Sequence, residues 1–458
     1  MPSPSNSTKK FATSILTTVN SLPVSSSSIR IPSNKRSIRK EISVTQSELK
    51  RPELLAPAGT LEKLKIAIHY GADACYIGGE AYGLRSRAGN FDFDEMQEAV
   101  DYAHKHNAKV YVASNMVTHV GDEEGAGDFF RTIRDIGIDA VIISDPALMQ
   151  ICASDAPGLE MHLSTQQSAV NYETLNFWED AGLTRCVLGR EVSMAEVAEI
   201  RQKTNVEIEA FVHGAMCISY SGRCTLSNHM AHRDANRGGC CQSCRWQYGL
   251  YDMPKLGQRY MVGKGEEGTD IDEPFAMSAV DLSMINHIPD IIQNGIDSLK
   301  VEGRMKSIHY VSTVINVYRK AIDAYLEDPD NYQVQQEWID ELWKSAQREL
   351  ATGFYYGRPT ENEQLFGKRR RIPRYQFVGE VLDYDPASQI ATIQQRNNFG
   401  VGDLIEFYGP GMRHFQQELT AMRDEDGQAI DRAPHAMQIV SMKVNQPVKA
   451  HDMIRKER

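Results

Sequence analysis

The sequence has no apolar run approaching the roughly 18 residues that a membrane-spanning helix needs. It also has no excess of positive charge. With 61 acidic residues against 50 lysines and arginines, the net charge is -11, so any site for a polyanion must be a local basic patch. There is no H-E-x-x-H to hold a protease zinc, no G-x-S-x-G elbow for a serine hydrolase, and no P-loop. The one G-x-G-x-x-G match, "GKGEEG" from Gly263, carries two glutamates and runs into "TDIDEP", so no helix N-terminus follows to receive a phosphate. Acidic residues are absent from residues 1 to 40, which hold seven lysines and arginines among many serines, threonines and prolines. Residues 1–50 therefore read as a disordered basic tail, with a transit peptide as the alternative. A secretory signal is a poor fit, because Thr, Ser and Asn break up the stretch after Lys10 before an apolar core forms. Without secretion the expected compartment is the reducing cytoplasm, where disulfides are rare and cysteines more often serve metal or redox chemistry.

From Pro52 the chain alternates short apolar runs with amphipathic stretches. The runs are "ELLAPAG" at Glu53, "ACYIGG" at Ala74, "KVYVASN" at Lys109, "AVIISD" at Ala140, "EMHLST" at Glu160, "RCVLGRE" at Arg185, "EIEAFVHG" at Glu207 and "SLKVEGR" at Ser298. Between them lie helical patterns such as "MAEVAEIRQKT", opened by Ser193 with Glu196 at the capping-box position. Eight parallel-type strands alternating with helices predict an α/β fold, a (β/α)8 TIM-like barrel; a doubly wound open sheet is the alternative. Residues 308 to 352 read as a helical extension, which closes the barrel unit of residues 51–366. A basic linker, "GKRRRIPR", then leads into a small C-terminal all-β barrel over 367–458, marked by "YQFVGEVLDYD", "IATIQQRN" and "DLIEFYGPG".

Five of the eight cysteines crowd into an insert after the seventh strand, residues 213–250, on the face where barrels of this kind place their active sites. Cys217, Cys224, Cys240 and Cys244 are separated by six, fifteen and three residues, with Cys241 as a spare. The leading C-x6-C is wider than the usual zinc knuckle, and four irregularly spaced thiolates suit a 4Fe-4S cluster. Zinc and unligated thiols remain open on spacing alone.

The stretch "EAFVHGAMCISYSGRCTLSNHMAHRDANRGGCCQSCRW" resembles the signature of the collagenase-like peptidases, peptidase family U number 32. The likeness extends through "ELLAPAG", "YGADACYIGG" and "LKVEGRMKS" to the terminal β module. Within that family the chain is most similar to the bacterial prephenate-dependent tRNA uridine hydroxylation proteins. This resemblance implies a tRNA-modifying enzyme, a uridine 5-hydroxylase acting on the wobble base. It also implies a 4Fe-4S cofactor on Cys217, Cys224, Cys240 and Cys244, prephenate as co-substrate and tRNA as partner, with a protein partner of the same family as a further expectation. Cys241 competes with Cys240 for the third ligand position. Hydroxylation of a ribosomal RNA base, a collagenase-like peptidase using a Cys217 pair with His213 or His229, and a zinc-stabilised RNA-binding module are the alternatives.

Other candidates follow from strand positions. A period of two puts Lys300, Glu302 and Arg304 on one side of the last strand, where the cations could clamp a dicarboxylate such as prephenate. An ion-paired strand end is the plainer reading. Arg190 and Glu191 close strand six, His162 and Thr165 close strand five, and Asn115 closes strand three; together they mark a polar barrel mouth. His213, just before the first cysteine, is a candidate proton donor or cluster-tuning group. For RNA, the candidates are Lys368, Arg369, Arg370, Arg371 and Arg374 of the linker. Tyr375, Phe377, Phe399 and Tyr408 are candidates for base stacking that core packing would equally explain.

Overall fold

The structure, a computed structural model, describes residues 49–83, 89–252, 260–264, 275–366 and 372–458. Seven parallel strands follow one another in the sheet: β1 (Glu53–Pro57), β2 (Ala74–Ile77), β3 (Lys109–Ser114), β4 (Ala140–Ile143), β5 (Glu160–Leu163), β6 (Arg185–Val187) and β7 (Glu207–Gly214). In the insert and after it come β8 (Tyr248–Asp252), β9 (Tyr260–Lys264), β10 (Phe275–Ala279) and β11 (Asp281–Ser283). The next strand, β12 (Ser298–Val301), pairs in parallel with both β1 and β7, through Leu55 with Lys300 and Lys300 with Phe211. This double pairing closes an eight-stranded barrel and excludes the open sheet.

The helices between these strands begin where the sequence supplies caps. α1 (Leu61–His69) starts at Thr60, α2 (Phe93–Lys105) at Asp92, and α4 (Pro146–Asp155) at Asp145 with proline in its first turn. α3 (Ala126–Ile136) lies between α2 and α4, and α5 (Tyr172–Asp180) starts at Asn171. α6 (Met194–Lys203) has the expected Ser193–Glu196 capping box. Further along are α7 (Leu226–Ala231) in the insert, α8 (Ile288–Gln293), the largely buried α9 (Ile308–Glu327) and α10 (Gln336–Ser345).

β13 (Leu350–Ala351) pairs with β11, which runs antiparallel to the end of β7, and β14 (Gln364–Phe366) joins β8, β9 and β10 in a small separate sheet. The C-terminal module holds β15 (Tyr375–Asp385), β16 (Ile390–Gln395), β17 (Phe399–Gly400), β18 (Leu404–Gly409), β19 (Arg413–Glu418), β20 (Met422–Arg423), β21 (Ala429–Ile430), β22 (Arg432–Ala433), β23 (Ile439–Lys443) and β24 (Met453–Glu457). Its antiparallel strands enclose a core of their own around Val378, Ile393, Phe407 and Ile454.

The module is fastened to the side of the barrel. His309 on α9 meets the Tyr408 hydroxyl at 2.6 Å, and Asn316 donates to the Gly409 carbonyl at 2.9 Å. Beside them Arg455, fully buried, reaches Glu341 and Glu406 at 2.5 to 2.8 Å. Tyr408 and Phe399 are buried, Phe377 stacks on His309, and Tyr375 lies under the cations of Lys344 and Arg455. The four aromatics considered for base stacking are thus packing groups.

Candidate functional site

The inner face of the barrel is unusually charged for a core. Glu53 of β1, Arg185 of β6, Glu207 and Glu209 of β7 and Lys300 of β12 all point inward, as their alternation along the strands requires. Arg185 bridges Glu53 at 2.6 Å, Glu207 at 2.8 Å and Glu209 at 3.3 Å; Lys300 donates to Glu209 at 2.7 Å. Tyr111 and Ser298 donate to Glu53. Burial alone would push the Glu209 carboxyl up, but Lys300 and Arg185 hold it below the usual carboxylate range. Glu209 therefore stays ionised at the centre of the barrel, and Lys300 is paired there.

Above this layer the network continues to the mouth. The Lys300 ammonium lies 4.5 Å from the centre of the Tyr76 ring, and the Tyr76 hydroxyl stands 3.5 Å from a Glu302 carboxylate oxygen. That same oxygen is 3.6 Å from Arg190, whose guanidinium lies 3.7 Å from the centre of the Phe211 ring and contacts the Cys217 sulfur at 3.9 Å. Arg190 thus connects the barrel mouth to the first cysteine of the insert. Asn115 donates to Ser164 at 3.2 Å, and Thr165 donates to the Leu188 carbonyl at 2.9 Å, so both are scaffold contacts at the rim. His162 is buried edge-on against Tyr111, below the mouth.

The insert lies over the strand ends. Its Asn236 carbonyl accepts from the Val117 N–H after β3, Arg237 pairs with Asp122, and Ser168 after β5 donates to the Ser221 carbonyl at 2.7 Å. Gly222 has a left-handed φ of 69°, and a Cβ there would come within 2.4 Å of the Gln166 carbonyl; only glycine lets the loop come so close. Within the insert, burial pushes the Cys244 thiol up, Arg245 draws it down, and the nearby thiols of Cys217, Cys240 and Cys224 push it up again. These four sulfurs share one neighbourhood. Cys241 is occupied elsewhere: its backbone N–H and its thiol both meet the Ser227 hydroxyl, at 3.3 and 3.5 Å. Among the described residues no three His, Cys, Asp or Glu side chains converge tightly enough to hold a single metal ion. These four thiols, with Arg245 beside them, are the groups in the insert that could hold a soft metal or cluster.

Beside Cys217 opens a cavity of about 890 Å³, lined by Val170, Glu191, Met216, Tyr220, Phe354 and Arg358 among others. Its size suits a small molecule or a nucleoside.

Three sequence expectations need correction. His213 is not at the mouth. A bulge in β7 shifts the register between the Lys300–Phe211 and Val301–His213 pairs, and the imidazole turns outward to pack between Tyr310 and Tyr318 of α9. Burial lowers its pKa to about 4, so it is a neutral core histidine and no base for Cys217. Arg304 does not continue the face of β12, because that strand ends at Val301. Its buried guanidinium instead occupies the space a Cβ on Gly78 would take, at the end of β2. Arg374 is paired with Glu457 rather than left for phosphate, and Lys368 to Arg371 lie outside the described residues.

Sequence reasoning missed Tyr76, Glu53, Arg185, Glu209 and Arg245. A carboxylate at the centre of "EIEAFVHG" was the available signal, since a buried charge requires a partner.

The sequence pattern of Peptidase family U32 matches residues 59–365, and that of the Peptidase family U32 C-terminal domain matches residues 373–455. The chain is 51% identical over 407 residues to tRNA hydroxylation protein P1 of Bacillus subtilis (strain 168), covering 89% of this chain and 95% of that protein. It is 34% identical over 421 residues to tRNA hydroxylation protein P of Escherichia coli (strain K12), covering 84% and 92%. It is also 35% identical over 279 residues to the 23S rRNA 5-hydroxycytidine C2501 synthase of Escherichia coli (strain K12), covering 61% of this chain and 40% of that one.

Proposed function

Starting from a chain that belongs to peptidase family U32, we propose that it is an RNA hydroxylase, converting the wobble uridine of tRNA to 5-hydroxyuridine in a prephenate-dependent reaction. The observation that carries the reading is the gathering of Cys217, Cys224, Cys240 and Cys244 beside a charged barrel mouth, with Arg190 touching both. Those four cysteines would hold a 4Fe-4S cluster, which supplies the electron-transfer capacity that side chains lack when a ring C–H becomes C–OH. Arg190 is the cation suited to bind a carboxylate at the mouth. Glu302 and Tyr76 fix the position of Arg190, and Lys300, held by Glu209, sets the field beneath them. The insert lies over the strand ends, beside the cavity that would take the base. A peptidase reading finds less support, because His213 faces away from Cys217.

Hydroxylation of a ribosomal RNA base is the second reading, favoured by the relative that acts as a 5-hydroxycytidine synthase. Both can be tested in one bacterial strain lacking its tRNA hydroxylation proteins and its 23S rRNA 5-hydroxycytidine synthase, complemented with this chain or with Cys217→Ala. Nucleoside mass spectrometry is expected to find 5-hydroxyuridine in tRNA restored by the wild type alone. Restoration of a hydroxylated base only in ribosomal RNA would move the assignment to the second reading, and no restored base in either would defeat both.

A further inference from the structure

The insert differs in charge from the molecule that carries it. Between Cys217 and Arg245 there are four arginines and a single aspartate, in a chain whose net charge is -11. Two of those arginines are committed, Arg237 to Asp122 and the largely buried Arg245 to the thiol neighbourhood. Arg223 is exposed and, like the exposed His229 and His232, has no side-chain partner among the described residues. On the same insert Tyr220 is 67% exposed, the most exposed aromatic ring in the described residues, and Ile218 and Met230 are exposed with it. Tyr220 also stands at the cavity next to Cys217.

A bare aromatic ring, flanking apolar groups and an uncommitted arginine beside a reaction site match one partner chemistry: an unpaired nucleotide stacked on the ring, with a phosphate on the guanidinium. A protein partner would not need this local reversal of charge, whereas a polyanion approaching an acidic molecule does.

We propose that the exposed face of the insert, centred on Tyr220 and Arg223, grips the single-stranded loop of the RNA substrate and sets which base enters the site. The proposal rests on the RNA-hydroxylase reading and goes beyond it by locating the recognition surface. It places an RNA contact on the insert above the barrel mouth, apart from the linker at 368–374.

The test is fluorescence anisotropy with anaerobically purified full-length protein and a labelled anticodon stem-loop RNA bearing unmodified uridine at its first anticodon position. Tyr220→Ala is expected to weaken binding on the order of tenfold, with Tyr220→Phe retaining it, because stacking needs the ring and not the hydroxyl. Arg223→Ala should reduce the slope of log affinity against log salt by about one. Melting temperature and visible absorbance serve to show that the variants keep their fold. If the wild type binds and these variants bind equally well, the inference is overturned and the hydroxylase reading stands. The inference is likewise overturned if only Arg374→Glu weakens binding. If the wild type binds the stem-loop no better than a plain duplex, the RNA reading itself fails and the inference falls with it.

Discussion

Two buried charge clusters in this protein use the same chemistry for different ends. At the junction of barrel and β module, Arg455 and Lys344 face Glu341 and Glu406, two cations against two carboxylates. Burial would push Glu406 up, yet Arg455 and Lys344 hold its carboxyl down to about 2. The cluster is capped by the Tyr408 ring, whose centre lies 4.2 Å from the Arg455 guanidinium, and its Glu406 borders a cavity of about 330 Å³ that no cysteine lines. Inside the barrel, Arg185 and Lys300 face Glu53, Glu207 and Glu209, and the network continues through Tyr76, Glu302 and Arg190 to a cysteine. A balanced cluster joins two domains; one connected through Arg190 to a reactive side chain organises a site. The difference lies in connectivity, because each cluster sets two cations against buried carboxylates.

The comparison can be broken at three points. Arg455→Met leaves Glu341 and Glu406 buried without their main partner, and chemical denaturation should show a loss of about 3–5 kcal/mol. Hydroxylation per folded molecule at low temperature should be preserved, and a selective loss of activity without instability would make the junction part of the site. Arg190→Gln should do the reverse: activity down on the order of 10²-fold through misplacement at the mouth, with a melting temperature close to the wild type. A large fall in melting temperature with activity intact would reduce Arg190 to a structural ion pair.

The smallest effect concerns His213. Its folded pKa of about 4 lies below the unfolded value, so the neutral imidazole is compatible with the native state at pH 7, and protonation favours unfolding once the pH drops below about 6.5. Between pH 6.5 and 5 this single group should cost about 2 kcal/mol of stability. His213→Asn, whatever its stability at pH 7, should flatten that part of the stability curve. An unchanged slope would show that His213 is not held neutral.

Much of this was legible in the residues because it depends on local pattern. All eight barrel strands coincide with apolar runs, and Ser193 with Glu196 caps α6 as its spacing required. The insert's position followed from strand order. What stayed hidden depends on register and on partners distant in sequence. One extra residue in β7 sends His213 to the outer face, and the early end of β12 redirects Arg304 towards Gly78. Whether Cys240 or Cys241 faces the other thiols turns on Ser227, which occupies Cys241 from a different turn of the insert.

That last distinction gives the most direct measurement of the central claim, that four particular thiols form one cofactor site at the barrel mouth. Iron and sulfide should be determined in anaerobically purified wild type, Cys240→Ala and Cys241→Ala. About four irons and four sulfides per chain are expected in the wild type and in Cys241→Ala, with their loss in Cys240→Ala. Stoichiometric zinc without sulfide, or loss of the cluster on replacing Cys241 with Cys240 intact, would contradict it.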